Sequence, residues 1–154
     1  MSNSGPALSC SILARRLLQG LGIPMSAGLF IGLLTGKLRY GQLTLEWPQL
    51  LATNSHPFVE VLLGSLPGLV LFIACLALGA LRHSVNLLCA FVLTSAISAY
   101  CCALLFAQAF GNTWAAGEVF RELYLAQLPL LAMALLPGLL IALWLQPSSR
   151  PAAF

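Results

Sequence analysis

The chain has 154 residues, of which 60% are hydrophobic and only 7% are charged, and its formal net charge is +3. Because about a quarter of the residues in a soluble domain are charged, this composition excludes an ordinary soluble fold. The length suits a single domain, residues 1–154, and most of that domain must lie in lipid.

Charged residues divide the chain into four long neutral intervals. A helix needs about 20 residues to cross about 30 Å of hydrocarbon, so each interval can hold one crossing. We therefore predict an all-α fold, a polytopic four-helix transmembrane bundle, with spans at 17–36, 61–81, 86–110 and 123–145. All four glutamates lie outside these spans, and the chain has no aspartate.

Basic residues give a small bias in orientation. With the N-terminus inside, four of them face the cytoplasm and three face the opposite side: Arg15, Arg16, Arg82 and Arg150 against Lys37, Arg39 and Arg121. The positive-inside rule therefore predicts a multi-pass protein of the cell membrane, plasma or inner, with both termini cytoplasmic. Membrane lipid is a predicted partner, whereas the basic residues are too scattered for nucleic acid.

The first span carries glycines at every fourth position of the segment GLFIGLLTG, namely Gly28, Gly32 and Gly36. Helices in lipid associate through close backbone contact, and small residues at this spacing provide a flat face for it. The third span has small residues at the same spacing, among them Ala90, Thr94 and Ser98. We predict a packing seam between spans one and three. Contact with a second copy, as a homo-oligomer, or with another membrane protein is the alternative.

The loop after the first span contains LTLEWPQLLA, whose leucines and Trp47 predict a short stretch on the membrane surface. Farther along, His56 and Glu60 are four residues apart, so both side chains could face one ligand. Two ligands do not make a closed metal site, which usually needs four donors. We therefore predict no metal site and no cofactor.

Prolines interrupt spans two and four. A proline removes one hydrogen bond from a helix and bends it, so Pro67, Pro129 and Pro137 are predicted helix breaks. The tetrapeptide LPGL occurs at 66–69 and again at 136–139. The first proline lies seven residues after the preceding charged residue, whereas the second lies fifteen after it. Because these depths differ, coincidence in an apolar composition is favoured over internal duplication.

Polar residues at depth are concentrated in the third span, where Ser98, Tyr100 and Gln108 stand out. Hydrogen bonding between helices is the favoured role for such residues, and lining a path for a small solute is the alternative. The predicted spans contain no carboxylate, which argues against an ion-coupled transporter.

Signals of catalysis are weak. The five cysteines form no C-x-x-C motif and lie mostly within spans, so small apolar packing is their favoured role. No glycine-rich phosphate loop follows a strand, and no region outside the spans is large enough for a catalytic domain. We predict no catalytic residues and a protein that is not an enzyme.

The order of features resembles the stage II sporulation protein M type of integral membrane protein. The likeness lies in the glycine-spaced first span GLFIGLLTG, the polar loop after it, the segment AISAYCCALLFAQAFG and the proline-bearing LPLLAMALLPGLL. Such proteins belong to the peptidoglycan-remodelling engulfment machinery of spore-forming bacteria. The resemblance implies a scaffold that anchors hydrolase partners.

Two functions are therefore predicted as alternatives. The first is a scaffold or subunit of a cell-envelope membrane complex, related to sporulation. The second is a small permease, or the membrane component of a transporter for a small solute, which the prolines and the polar third span would serve.

Overall fold

The structure is a computed structural model that describes residues 10–47, 56–109, 114–115 and 117–145. It contains helices α1 (Cys10–Tyr40), α2 (Pro57–Ala77), α3 (Ser84–Ala109) and α4 (Leu128–Trp144). A π-helical turn, Val119–Tyr124, and a 3-10 turn, Leu125–Gln127, lead into α4. Four helical segments are long and apolar enough to cross a membrane. The predicted all-α fold with four transmembrane helices is confirmed.

The chain reverses direction directly after the first helix. α1 has 31 residues and a length of about 46 Å, more than the hydrocarbon thickness, so its ends reach the polar region. Lys37 and Arg39 occupy its last turn, where cations favour the helix dipole. Gly41 follows with a φ of +68°, and its N–H donates to the Lys37 carbonyl at 2.9 Å. Residues 42–47, the return segment, then run back along α1.

The second helix is shifted by four residues from the predicted span 61–81: its first and last residues each come four positions earlier in the chain. Pro57 occupies its first position, where the missing N–H costs no hydrogen bond. At the other end Gly79, with a φ of +69°, leads into a 3-10 turn, Ala80–Arg82. Glu60, expected outside the spans, therefore lies in the first turn of α2 and is buried.

Two of the three prolines do not break their helices. Pro67 and Pro137 lie inside continuous helices, so their prediction as breaks is wrong. Each removes only one hydrogen bond, and the regular bonds on either side hold the helix together. Pro129 differs because it lies in the first turn of α4, where regular geometry resumes after the π-helical and 3-10 turns.

Successive helices run in opposite directions, and α1 and α3 contact each other at the centre. α2 lies against α3, and α4 lies against α1. The beginning of α1, the turn at 78–83 and the end of α4 form one end of the bundle, the terminal end. The return segment, the beginning of α2 and the π-helical turn form the other, the loop end. Phe30, Phe72 and Phe91 are the largest fully buried side chains.

The outer helices α2 and α4 bury the same positions. Residues 56–75 and 126–145 pass through exposed, intermediate and buried positions in an identical order. This alignment sets the two LPGL segments on each other, with Pro67 and Pro137 exposed and Gly68 and Gly138 buried. The two copies therefore occupy equivalent burial positions, although the numbers of residues that separate them from the preceding charged residue differ. That difference was measured from charged residues rather than from the start of the regular helix.

The central helices α1 and α3 also bury equivalent positions. When Ile23 is aligned with Phe91, every position of α3 that is buried between Leu87 and Ala103 aligns with a buried position of α1. Exchanging α1 with α3, and α2 with α4, leaves the neighbours of each helix unchanged. The burial order and the helix neighbours are thus those expected of two helical hairpins, α1–α2 and α3–α4, arranged as a parallel repeat.

Candidate functional site

The seam between α2 and α3 is made of small residues on both sides. A Cβ added at Gly64 would lie 2.6 Å from Cys102 Sγ, and one at Gly68 would overlap Ser98 Oγ and the Thr94 carbonyl. The helices therefore approach closely only because these positions lack a side chain. Sequence reasoning missed Gly64 and Gly68 as a packing strip, although their spacing of four is the same signal as in α1.

The predicted partner of the α3 strip is therefore wrong. Thr94 and Ser98 pack helices, but against α2 instead of α1. Ser98 Oγ donates to the Ser65 carbonyl across this seam at 3.2 Å, and Thr94 Oγ1 donates to the carbonyl of Ala90 in its own helix at 2.7 Å. Ala90 itself is half-buried against the core.

The glycine strip of α1 contacts α2 and the return segment. A Cβ added at Gly28 would lie 3.3 Å from Val61 Cγ1, and one at Gly32 would lie 2.8 Å from Leu45 Cδ1. At Gly36 it would overlap a backbone carbonyl of the return segment. The predicted seam of these glycines with span three is wrong, because their spacing defines a flat face but not what lies on it.

A second close seam joins α1 to α4. Gly138 is the equivalent of Gly68, and a Cβ there would lie 2.7 Å from Ser26 Oγ and 3.3 Å from the Gly22 carbonyl. The ring of Phe91, from α3, lies against both Gly22 and Gly138. Three of the four helices therefore meet at this ring.

A groove lies between α1 and α2 at the loop end. Its volume is about 370 Å³, and among the described residues that line it Glu46 is the only charged one. Gly28 and Gly32 form part of its floor, and the exposed rings of Trp47 and Phe58 line it as well. We call it the loop-end groove. Glu46 N–H also donates to the Gly32 carbonyl at 3.2 Å, which holds the return segment on α1.

The three residues predicted to line a solute path lie in different surroundings. Ser98 is buried in the seam between α2 and α3. Tyr100 packs its ring against Phe120 and Tyr124, with centroids 5.5 and 5.3 Å apart. Gln108 is exposed near the end of α3. The structure therefore does not bring them together around a common space.

His56 and Glu60, which could face one ligand by their spacing, lie in different surroundings. His56 is exposed just before α2, whereas Glu60 is buried in its first turn. Of the cysteines, Cys102 is buried against Gly64, and Cys101 beside it in the chain is half-buried. Within the described ranges, no group of three or more His, Cys, Asp or Glu side chains could hold a metal ion.

A polar network at the terminal end was not predicted. Arg16 donates to Gln19 Oε1 at 3.0 Å and to the Leu81 carbonyl at 2.9 Å. Gln19, which is 1% exposed, donates in turn to the Ala142 carbonyl at 2.9 Å. This clasp joins α1 to the turn after α2 and to the last turns of α4. The spacing of Arg16 and Gln19 suits one helix face, but their acceptors are backbone carbonyls that no sequence pattern marks.

In comparisons with known proteins, no family model matches the chain, and neither a curated protein nor a solved structure matches it.

Proposed function

We propose that the chain is a non-enzymatic multi-pass membrane protein that acts as a scaffold or subunit of a membrane complex in the cell envelope. The observation that carries this proposal is the loop-end groove, whose described lining is apolar except for Glu46. At about 370 Å³ it exceeds the lower limit of ligand pockets, about 300 Å³. Its occupant in this proposal is a membrane segment of a partner protein.

The chemistry of the groove supports a protein partner. Glu46 Oε2 is buried and has no hydrogen-bond partner in the described part of the chain. Leaving such an oxygen without a donor costs about 1 to 3 kcal/mol, which a donor side chain on a partner would recover. Trp47 and Phe58 are exposed beside it, and aromatic side chains are typical anchors of protein interfaces. The partner should therefore present an apolar anchor next to a hydrogen-bond donor.

The proposed location is the cell membrane, with both termini cytoplasmic. The described residues of the terminal end include Arg15, Arg16 and Arg82, which favours the inside for this end. The resemblance to the stage II sporulation protein M type supports an engulfment complex in which the partner is a peptidoglycan hydrolase. This identity of the partner stays a prediction.

The test is affinity purification of the tagged full chain from its native membranes in a mild detergent, followed by mass spectrometry. We compare the wild type with Met25→Trp, which fills the loop-end groove, and with Met133→Trp, which places the same ring on the exposed face of α4. We expect a stoichiometric envelope protein with the wild type and with Met133→Trp. Its recovery should fall about tenfold with Met25→Trp, the equivalent of about 1.4 kcal/mol.

Either of two results would contradict the proposal. One is recovery of the chain alone from native membranes. The other is equal recovery of the partner with Met25→Trp and Met133→Trp, which would show that the groove is not the contact.

The second candidate is a permease for a small neutral solute. It is favoured by the hydroxyls of Ser26 and Ser95, which are buried in the central helices without a hydrogen-bond partner in the described residues. Proteoliposomes that swell faster in glycerol or urea gradients than protein-free vesicles would support it. Swelling that is unchanged in a Ser26→Ala, Ser95→Ala double variant would count against these hydroxyls as the path.

A further inference from the structure

A second groove lies between α1 and α2 at the terminal end. Its volume is about 440 Å³, and the part of its lining that the structure describes is apolar except for Arg16. Leu17 and Leu21 contribute from α1, and Leu69, Phe72 and Leu76 contribute from α2. Leu17 and Leu21 are also exposed, so the groove opens toward the lipid. We call it the terminal-end groove.

The clasp fixes the cationic group of this groove. Of the five N–H donors of a guanidinium, the side chain of Arg16 uses one on Nη1 for Gln19 and one on Nη2 for Leu81. The other three donors have no acceptor among the described residues and remain for an anion. Because both acceptors belong to the folded bundle, the guanidinium is held in place before any ligand arrives, and little side-chain entropy is lost on binding.

The described charged residues near this groove are basic. Arg15 and Arg16 lie at the beginning of α1 and Arg82 lies in the turn at 78–83, and these described segments contain no acidic residue. All four glutamates lie toward the loop end, together with Lys37, Arg39 and Arg121. Among the described residues, three positive charges at the terminal end therefore stand against a net charge of minus one at the loop end. This difference favours an anion at the terminal end.

We propose that the terminal-end groove binds one anionic phospholipid. Its phosphate accepts hydrogen bonds from the Arg16 guanidinium, and an acyl chain lies in the groove between α1 and α2. From Arg16 to Leu21 the groove follows α1 for about 8 Å, so it holds the upper part of one chain. The second hairpin has no such site, because Ser84 and Leu87 stand where the first has Arg16 and Gln19.

The test is native mass spectrometry of the purified full chain in detergent, titrated separately with phosphatidylglycerol, with phosphatidylcholine of the same acyl chains, and with inorganic phosphate. We expect phosphatidylglycerol to bind about tenfold more tightly than phosphatidylcholine, since charge-assisted bonds to phosphate and the surrounding positive field add to the apolar contact. Arg16→Gln should remove this preference. Arg15→Gln makes the same change of charge at the neighbouring exposed position and should alter binding by less than about twofold.

A second pair of variants keeps the proposal testable if Arg16→Gln weakens the fold through the clasp. Leu17→Trp fills the groove without touching the clasp, whereas Leu140→Trp adds the same ring to the exposed face of α4. We expect phosphatidylglycerol binding to fall about tenfold only with Leu17→Trp. Equal binding of the two lipids, equal effects of Arg15→Gln and Arg16→Gln, or complete displacement by inorganic phosphate would overturn the proposal.

Discussion

The two hairpins bury the same helix positions but differ in the side chains that pack on their central helices. Where the first hairpin has Gly28 and Gly32 in α1, the second has Ala96 and Tyr100 at the aligned positions of α3. The glycines leave the loop-end groove beside the return segment, whereas Tyr100 packs into an aromatic cluster with Phe120 and Tyr124. Tyr124 also donates to the Ala96 carbonyl at 3.0 Å.

This difference separates the residues that pack the helices together from the residues that line the two grooves. Both hairpins have a glycine that allows close packing on a central helix, Gly68 against α3 and Gly138 against α1. Both grooves described above, however, belong to the first hairpin, as do Arg16 and Gln19. We infer that the repeated part holds the bundle together and that the unrepeated part of the first hairpin serves its partners.

The largest effect is expected at the two equivalent glycines. In Gly68→Ala the new Cβ meets the Thr94 carbonyl, a backbone group that cannot turn aside, whereas in Gly138→Ala it first meets the Phe91 ring and the Ser26 hydroxyl. We expect the free energy of unfolding to fall by about 3 kcal/mol for Gly68→Ala and by about 1 to 2 kcal/mol for Gly138→Ala. Unfolding in SDS, followed by circular dichroism, measures both.

Gly20→Ala is the matched control for these two variants. Its added Cβ would lie 3.5 Å from the Phe72 ring, an ordinary contact distance, so we expect a change within about 0.5 kcal/mol. A loss at Gly20 as large as that at Gly68 would show that glycine itself, rather than close approach, stabilises these helices.

A smaller effect is expected when the second hairpin is made more like the first. Tyr100→Ala removes the ring contacts with Phe120 and Tyr124, and we expect it to lower the free energy of unfolding by about 2 kcal/mol. Tyr124→Phe keeps the ring and loses only the hydrogen bond to the Ala96 carbonyl. We therefore expect it to lower the free energy of unfolding by about 0.6 kcal/mol. The same unfolding assay ranks them, and the reverse order would mean that the hydrogen bond dominates the cluster.

We expect that a substitution in α1 can displace the return segment without disturbing the bundle. Gly36→Ala places a Cβ against the Thr44 carbonyl and should lift this segment from α1. We expect hydrogen exchange at the Glu46 amide, which now donates to Gly32, to become about tenfold faster, while exchange in α3 stays unchanged. Gly28→Ala, on the same strip, meets only Val61 Cγ1 at 3.3 Å, which a small shift relieves, and should leave Glu46 protected. Equal hydrogen exchange at the Glu46 amide in both variants would contradict the role of Gly36 in holding the return segment on α1.

The smallest effect is expected at the ion pair of the return segment. Arg39 pairs with Glu46, but 59% of its side chain is exposed, so Arg39→Gln should cost less than about 1 kcal/mol. The loss should shrink in high salt. Thermal unfolding at low and high sodium chloride measures it, and Lys37→Gln, which affects a contact with Gln127 instead, is the control. A loss that salt leaves unchanged would rule out a screened surface pair.

Sequence reasoning predicted the helices better than their contacts. Charged residues punctuate the chain because a charge is costly in hydrocarbon, and this gave four spans. Spacing identified Gly28 and Thr94 as members of flat faces, but every flat face fits every other, so the partner helix depends on the whole bundle. Gly64 and Gly68 have the same spacing of four and were not predicted as a packing strip. The spacing from the charged residues favoured coincidence over duplication of LPGL because Glu60 lies inside α2, whereas Glu122 lies in the π-helical turn before α4.

The clasp has a consequence for biosynthesis. α2 and α3 are neighbours in the chain and can pair as soon as both have left the ribosome. Gln19 must wait for Ala142, 123 residues later, before its amide finds its acceptor. Until then α1 holds a polar side chain in the membrane without its native bond. We expect the closure of α4 onto α1 to be the last step of membrane assembly, and the nascent chain to need protection until it occurs.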